Sequence, residues 1–193
     1  SRDLAENAEN NLTPDQVESA LVISESGSQL LTLINDILDL SKIEAGKLSL
    51  LKEAFRLEDM LVYLRRIFSP QADKKNLSFE IHVDPAAPQM ITTDKQRLTQ
   101  VMSNLLSNAI KFTDSGNVRV AVSRKDTNLL FEVRDTGIGI PSDKLDHIFG
   151  AFQQADGSTS RKYGGSGLGL TISRHLAGLL DGELEVSSEP GKG

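Results

Sequence analysis

Gly164-Gly165-Ser166-Gly167-Leu168-Gly169-Leu170, followed by the apolar-periodic run Thr171 to Leu180, decides how this chain is read. Glycines let a backbone come close to a ligand, and the following helix turns its unpaired N–H groups toward whatever precedes it. Loop plus helix N-terminus therefore makes an anion site, most often for phosphate. Many glycine-rich loops are only turns, so the reading needs support from the rest of the chain. The commoner phosphate loops are excluded by inspection. A P-loop requires Gly-Lys followed by Ser or Thr, but Gly46-Lys47 precedes Leu48 and Gly191-Lys192 precedes Gly193. The dinucleotide fingerprint Gly-x-Gly-x-x-Gly fails because, counted from Gly165, position 170 is Leu. No catalytic-loop or Asp-Phe-Gly signature of Ser/Thr/Tyr kinases occurs.

Three upstream elements supply the rest of a nucleotide pocket. Thr92-Thr93-Asp94 can cap a helix from Lys95 to about Thr113. Its Leu98, Val101, Met102, Leu105, Leu106, Ala109 and Ile110 share one arc, the expected core face. Arg97, Asn104, Asn108 and Lys111 lie opposite, the last three stacked on successive turns. Asparagine is a mediocre helix former, so a binding face fits this helix as well as a solvated one does. Next, the strand-like Leu129 to Asp135 runs into Asp135-Thr136-Gly137-Ile138-Gly139-Ile140-Pro141. A carboxylate at a strand end can accept a hydrogen bond from an exocyclic amine, favouring adenine over guanine, although an ordinary Asp-Thr-Gly turn has the same sequence. Between Pro141 and Gly164, Lys144 to Phe152 is expected to form a short helix anchored by Phe149 and Phe152. Polar Gln153 to Tyr163, carrying Arg161 and Lys162, is expected to be a lid over bound nucleotide.

Together these four elements resemble the catalytic ATP-binding domain of sensor histidine kinases of the hybrid type. Asn104 to Thr113 looks like the N box, Asp135 to Ile140 like G1, Phe149 to Phe152 like the F box and Gly165 to Leu170 like G2. Ile34 to Leu48 resembles the end of the family's dimerisation helix. The resemblance implies the Bergerat ATP-binding fold, with ATP and Mg²⁺ as cofactors. It implies that Asn108 holds Mg²⁺ through its amide oxygen, that Lys111 reaches the phosphates and that Phe112 flanks the adenine. Asp135 would accept from the adenine amine, with Gly137, Gly139 and Ile140 shaping that pocket. Gly165, Ser166, Gly167, Leu168 and Gly169 would cradle the phosphates, and Arg161 and Lys162 would add charge. Related ATPases that attack water carry a glutamate general base at the first N-box position. Here it is Asn104, which cannot take a proton, so hydrolysis is expected to be slow and the γ-phosphoryl group to await a histidine imidazole. Asn104, Asn108 and Lys111 are thus the expected catalytic set, and a receiver-domain aspartate the next acceptor.

Two departures qualify what the resemblance implies. The family's acceptor histidine stands in a His-Glu-Leu-Arg-Thr-Pro-like box, which is absent. The three histidines, His82, His147 and His175, all fall in the catalytic portion. The family also continues into one more strand where this chain ends. Both ends read as cut, so the chain is expected to be a piece of a longer kinase, unable to autophosphorylate alone.

Composition agrees. The 193 residues, 38% hydrophobic, allow one medium domain with a core plus a helical appendage. A net charge of −6 without a basic stripe argues against nucleic acid as a partner, and none is expected. No cysteine occurs, which rules out disulfides and thiolate zinc and suits a reducing cytoplasm. No apolar run nears the roughly 20 residues needed to cross a bilayer, and the N-terminus is no signal peptide. The expected location is cytoplasmic, even though most intact relatives are membrane sensors.

The organisation predicted is a dimerisation segment over 1–46 and a catalytic domain over 47–193. Thr13-Pro14-Asp15-Gln16 is a strong helix start, and Ser1 to Asn10 reads as the tail of a preceding helix. Val17, Leu21, Leu31 and Leu38 recur at near-heptad spacing, flanked by Ala20, Leu30, Ile34 and Ile37. A helix of about 45 Å is too long to bury that stripe on one small domain, so a homodimeric four-helix bundle is expected of the intact protein, the alternative being a single helix folded onto its own domain. Lys47 to Phe55 reads as a strand, Leu57 to Lys74 as a helix and Leu77 to Val83 as a strand. Val118 to Arg124 and Leu129 to Asp135 read as a hairpin, Glu183 to Ser188 as a final strand. Helices on one face of a mixed sheet make a two-layer α/β sandwich.

Overall fold

In the computed structural model, which describes residues 12–145, 147–150 and 167–193, the chain divides into two compact units between Leu48 and Ser49. In the first, Thr13 opens helix α1 (Pro14–Glu44) with a complete capping box. Its hydroxyl accepts from Gln16 N at 3.3 Å, and Gln16 Oε1 accepts from Thr13 N at 2.9 Å. Gly46, at φ +63°, closes the helix in a left-handed turn. Ala20 is the only buried residue of α1, while Leu21, Leu30, Leu31, Ile34, Ile37 and Leu38 are exposed. The helix tail expected over 1–10, Phe152, the lid expected over 153–163, and Gly164 to Ser166 lie outside the described residues.

The second unit runs β1 (Glu53–Arg56), α2 (Leu57–Lys74), β2 (Ser78–Val83), β3 (Met90–Thr93), α3 (Lys95–Phe112), β4 (Asn117–Lys125), β5 (Asn128–Asp135), a 3₁₀ turn (Ser142–Lys144) and α4 (Gly169–Leu179). Strand β4 is the organising element. Val118, Val120 and Val122 alternate with Arg119, Ala121 and Ser123, and the period of two sends all three valines to one buried face. Against them pack Met60, Leu61, Leu64 and Phe68 of α2 with Met102, Leu106, Ala109 and Ile110 of α3. Apart from Ala109, each such side chain contributes roughly 1.5–3 kcal/mol on burial. That suffices to hold α2 helical across Pro70, which costs about 3 kcal/mol in an isolated helix. The opposite sheet face is polar, with Glu80, Arg119, Glu132 and Arg134 exposed, so the unit is a two-layer α/β sandwich. α4 packs along α3, and its Ile172 and Leu176 are fully buried.

The sheet is mixed, as expected: β2 runs parallel to β4 (Phe79 opposite Val118) and β4 antiparallel to β5 (Val118 opposite Asp135). Other expectations need correction. The strands form two sheets, because β1 pairs separately with β3 (Phe55 opposite Ile91). Met90–Thr93, of which only Thr92 and Thr93 read as part of a cap, is therefore a strand. The strand expected from Lys47 shrinks to Glu53–Arg56, since its partner offers only four residues. Of the helix expected over Lys144 to Phe152, the described residues 147–150 form turns, with His147 N bonded to Lys144 O and Gly150 N to His147 O, while 146, 151 and 152 lie outside the described residues. Among the described residues, Glu183 to Ser188 joins no ladder. A turn closes beyond it instead, with Glu189 N donating to Gly193 O at 2.9 Å. No helix among the described residues is long and apolar enough to cross a membrane.

Candidate functional site

The sequence motifs meet along the second half of α3. Asn104 is half-buried, and its Nδ2 donates to Gly169 O and to the fully buried Ser173 Oγ, both at 3.2 Å. The spacing i, i+4 on α4 puts those two acceptors within reach of one amide. One turn on from Asn104 comes Asn108, then Lys111 and Phe112, all half-buried. The Lys111 ammonium lies 4.8 Å from the centroid of the Phe112 ring. Burial pulls the Lys111 pKa below its ordinary value, because loss of water disfavours the charged amine. An anion arriving there would restore what burial removes.

The loop after β5 closes on the end of α3. Asp135 Oδ1 accepts from Gly137 N at 2.8 Å, which orients the half-buried carboxylate. Ile138 N donates to Phe112 O at 3.2 Å. A Cβ on Gly137 would come within 2.5 Å of that same Phe112 carbonyl, so the glycine is required for loop and helix to touch. Gly139 is constrained from elsewhere. It sits at φ +67°, and a Cβ there would overlap the Glu189 carbonyl. Ile140 N donates to Ser188 Oγ and Gly191 N to Ile138 O, both at 2.8 Å, so the 189–193 turn buttresses the loop.

At the start of α4, Gly167 is left-handed (φ +69°), and Leu168 is a fully buried N-cap residue offering no side-chain cap. A Cβ on Gly169 would make ordinary contact with Asn104 Cγ at 3.6 Å, so close packing does not demand glycine at this position. Phe149 is fixed to α4 twice: its carbonyl accepts from Thr171 Oγ1 at 2.9 Å, and Arg174 lies 5.1 Å from its ring. Arg161, Lys162, Gly165 and Ser166 are outside the described residues. Sequence reasoning missed Ser173 and Ser188; for Ser173 the signal was its position one turn after Gly169. Among the described residues no three His, Asp or Glu side chains gather as a metal cluster.

Residues 93–193 match the family described as histidine kinase-, DNA gyrase B- and HSP90-like ATPases. The chain belongs to that family. It is 46% identical over 178 residues to the autoinducer 2 sensor kinase/phosphatase LuxQ of Vibrio vulnificus (strain YJ016), covering 89% of this chain and 21% of that protein. It is 40% identical over 192 residues to hybrid signal transduction histidine kinase K of Dictyostelium discoideum, covering 93% of this chain and 16% of the relative. The crystal structure of full-length ShkA in complex with AMPPNP superposes with a TM-score of 0.81 at 34% identity, over 98% of this chain and 39% of that one. The chain thus spans about a fifth of the length of the curated relatives it matches.

Proposed function

We propose that the second unit binds Mg-ATP against the last two turns of α3 and delivers its γ-phosphoryl group to a histidine on a dimerisation helix, from which it passes to a receiver-domain aspartate. The observation that carries this reading is the convergence on α3: Asn104 bonded to Gly169 of the glycine motif, and Phe112 bonded to Ile138 of the Asp135 loop. Sensor and hybrid histidine kinases among the relatives support the reaction, and the AMPPNP complex of ShkA supports the ligand.

In this reading Asp135 selects adenine, Phe112 flanks it, Lys111 neutralises phosphate charge, and the N-terminus of α4 with Gly167 receives the phosphates. Gly137, Gly139 and Ile140 hold the Asp135 loop in place; Gly165, Ser166, Leu168 and Gly169 shape the phosphate cradle; Arg161 and Lys162 bring charge to it. When bound through Asn108, Mg²⁺ supplies further charge neutralisation. Asn104 cannot act as a base, which leaves the phosphoryl group for the histidine. Residues 1–46 form the dimerisation segment, pairing two copies through α1, and 47–193 the catalytic domain. The acceptor helix and the receiver lie outside this chain.

The test mixes the chain with Mg-ATP and a separate histidine-bearing helix domain and assays acid-labile phosphate on the helix. Transfer that Asn108→Ala abolishes, with Asp135→Asn losing selectivity for ATP over GTP, is the expected result. Steady hydrolysis without acceptor would favour a gyrase- or chaperone-type clamp. Tight binding with no transfer would favour an ATP-sensing scaffold.

A further inference from the structure

Helices α1, α2 and α4 end by one device and α3 ends by another. Gly46, Asn76 and Asp181 are left-handed (φ +63°, +55° and +61°), and each closes its helix by two backbone bonds. In α2, for instance, Asn76 N donates to Asp73 O and Leu77 N to Ala72 O, both at 3.0 Å. The C-cap of α3, Thr113, is instead extended (φ −101°, ψ 115°), so the chain does not fold back over the helix end. Its final carbonyls must find donors elsewhere.

They find them in three places. Thr113 Oγ1 donates to Ala109 O at 2.7 Å, and Ile138 N to Phe112 O at 3.2 Å. The remainder converge on one ammonium: Lys75 Nζ donates to Ile110 O at 2.8 Å, Lys111 O at 2.9 Å and Thr113 O at 3.1 Å. Three donors meet three acceptors, and the positive charge sits at the negative end of the helix dipole. Lys75 is itself the C-cap residue of α2, held in place by the left-handed turn at Asn76.

Resting on the reading given under Proposed function, we infer that Lys75 is a positioning residue for the nucleotide. It touches neither base nor phosphate. It fixes the turn that presents Asn108, Lys111 and Phe112, and it does so from a second helix. Without it, three partly buried carbonyls lose their charged donor, and the turn is free to fray at the place where geometry matters most.

The experiment titrates ADP with Mg²⁺ into the full chain and into Lys75→Met, Lys75→Arg and a core variant, Val122→Ala, with melting temperature measured for each. Lys75→Met should weaken ADP binding about tenfold or more, the loss expected when charged hydrogen bonds orienting a site are removed. Lys75→Arg, which keeps charge and donors, should recover most of that affinity. Val122→Ala should lower the melting temperature and leave the dissociation constant unchanged. Should Lys75→Met fail to fold, Lys75→Gln, which shortens the reach and removes the charge, takes its place. Wild-type affinity in the Met or Gln variant overturns the inference, as does an equal loss in Val122→Ala, which would mark a global stability effect. A wild-type chain that binds no adenine nucleotide overturns the underlying site reading instead.

Discussion

At Lys111 the demands of the site and of the fold pull in opposite directions. Its pKa is lowered by burial, so folding is penalised while the amine is charged. That penalty is fully present below the folded-state pKa and is gone once pH exceeds the unfolded-state value, near 10.4. Lys111→Met keeps the aliphatic stem and discards the charge. At pH 7 the nucleotide-free variant should melt at or above the wild type, the difference shrinking toward pH 10.5. Its affinity for Mg-ADP should fall roughly ten- to a hundredfold, the worth of a charge-assisted hydrogen bond to phosphate. Thermal melts at the two pH values and a calorimetric titration check both halves, and a variant that melts lower yet binds normally would remove Lys111 from the site. Residues whose partners lie within a few positions were legible in the sequence: Thr13 with Gln16, and Asp94 with the helix it caps. Asn104 was legible as the first N-box position, but its partners were not. Its acceptors Gly169 and Ser173 lie on another helix, and no spacing rule reaches across that gap.

Elements show the same division between local and distant causes. The apolar stripes of α2 and α3 fix those helices within a residue, because i, i+3, i+4 burial is written in the chain itself. Short strands were less legible, since pairing decides whether an extended segment becomes a strand. Met90–Thr93 is a strand because β1 meets it, whereas Glu183 to Ser188 finds no ladder among the described residues. Asp94 joins these two kinds of cause. One carboxylate oxygen caps α3, accepting from Arg97 N at 3.0 Å, and the other accepts from Leu51 N at 2.8 Å, pinning the segment before β1. With Asp94 only 5% exposed, Asp94→Ala loses a cap worth about 1 kcal/mol and strands a partly buried N–H at about 1–3 kcal/mol. Urea denaturation should therefore show a loss of about 2–4 kcal/mol. Asp94→Asn should recover roughly half, since an amide has one oxygen for two donors. A cost for the alanine variant no greater than that of an exposed cap would mean that the Leu51 bond contributes nothing.

For the whole molecule, the first unit sets the remaining problem. α1 is 31 residues long, roughly 46 Å. Leu31 is 63% exposed, Ile34 44% and Leu38 51%. Such a helix gains little from propensity alone and needs an apolar partner surface to persist. A second copy offers the identical stripe, and a symmetric pairing buries both at once. The chain should then sediment at twice its monomer mass at micromolar concentration and dissociate on dilution. Leu31→Asn with Leu38→Asn removes two leucines from each copy, each worth roughly 1.5–3 kcal/mol when buried. The dissociation constant should rise by at least about a hundredfold. Because these residues belong to a unit separate from the one that carries α3 and α4, affinity for Mg-ADP should be unchanged in the same double variant. Sedimentation equilibrium and nucleotide titration on one sample separate the two claims. A parent chain that stays monomeric at every concentration removes the dimer and leaves the nucleotide site untouched, whereas a double variant that loses both dimer and affinity would show that the second unit depends on the pairing of the first.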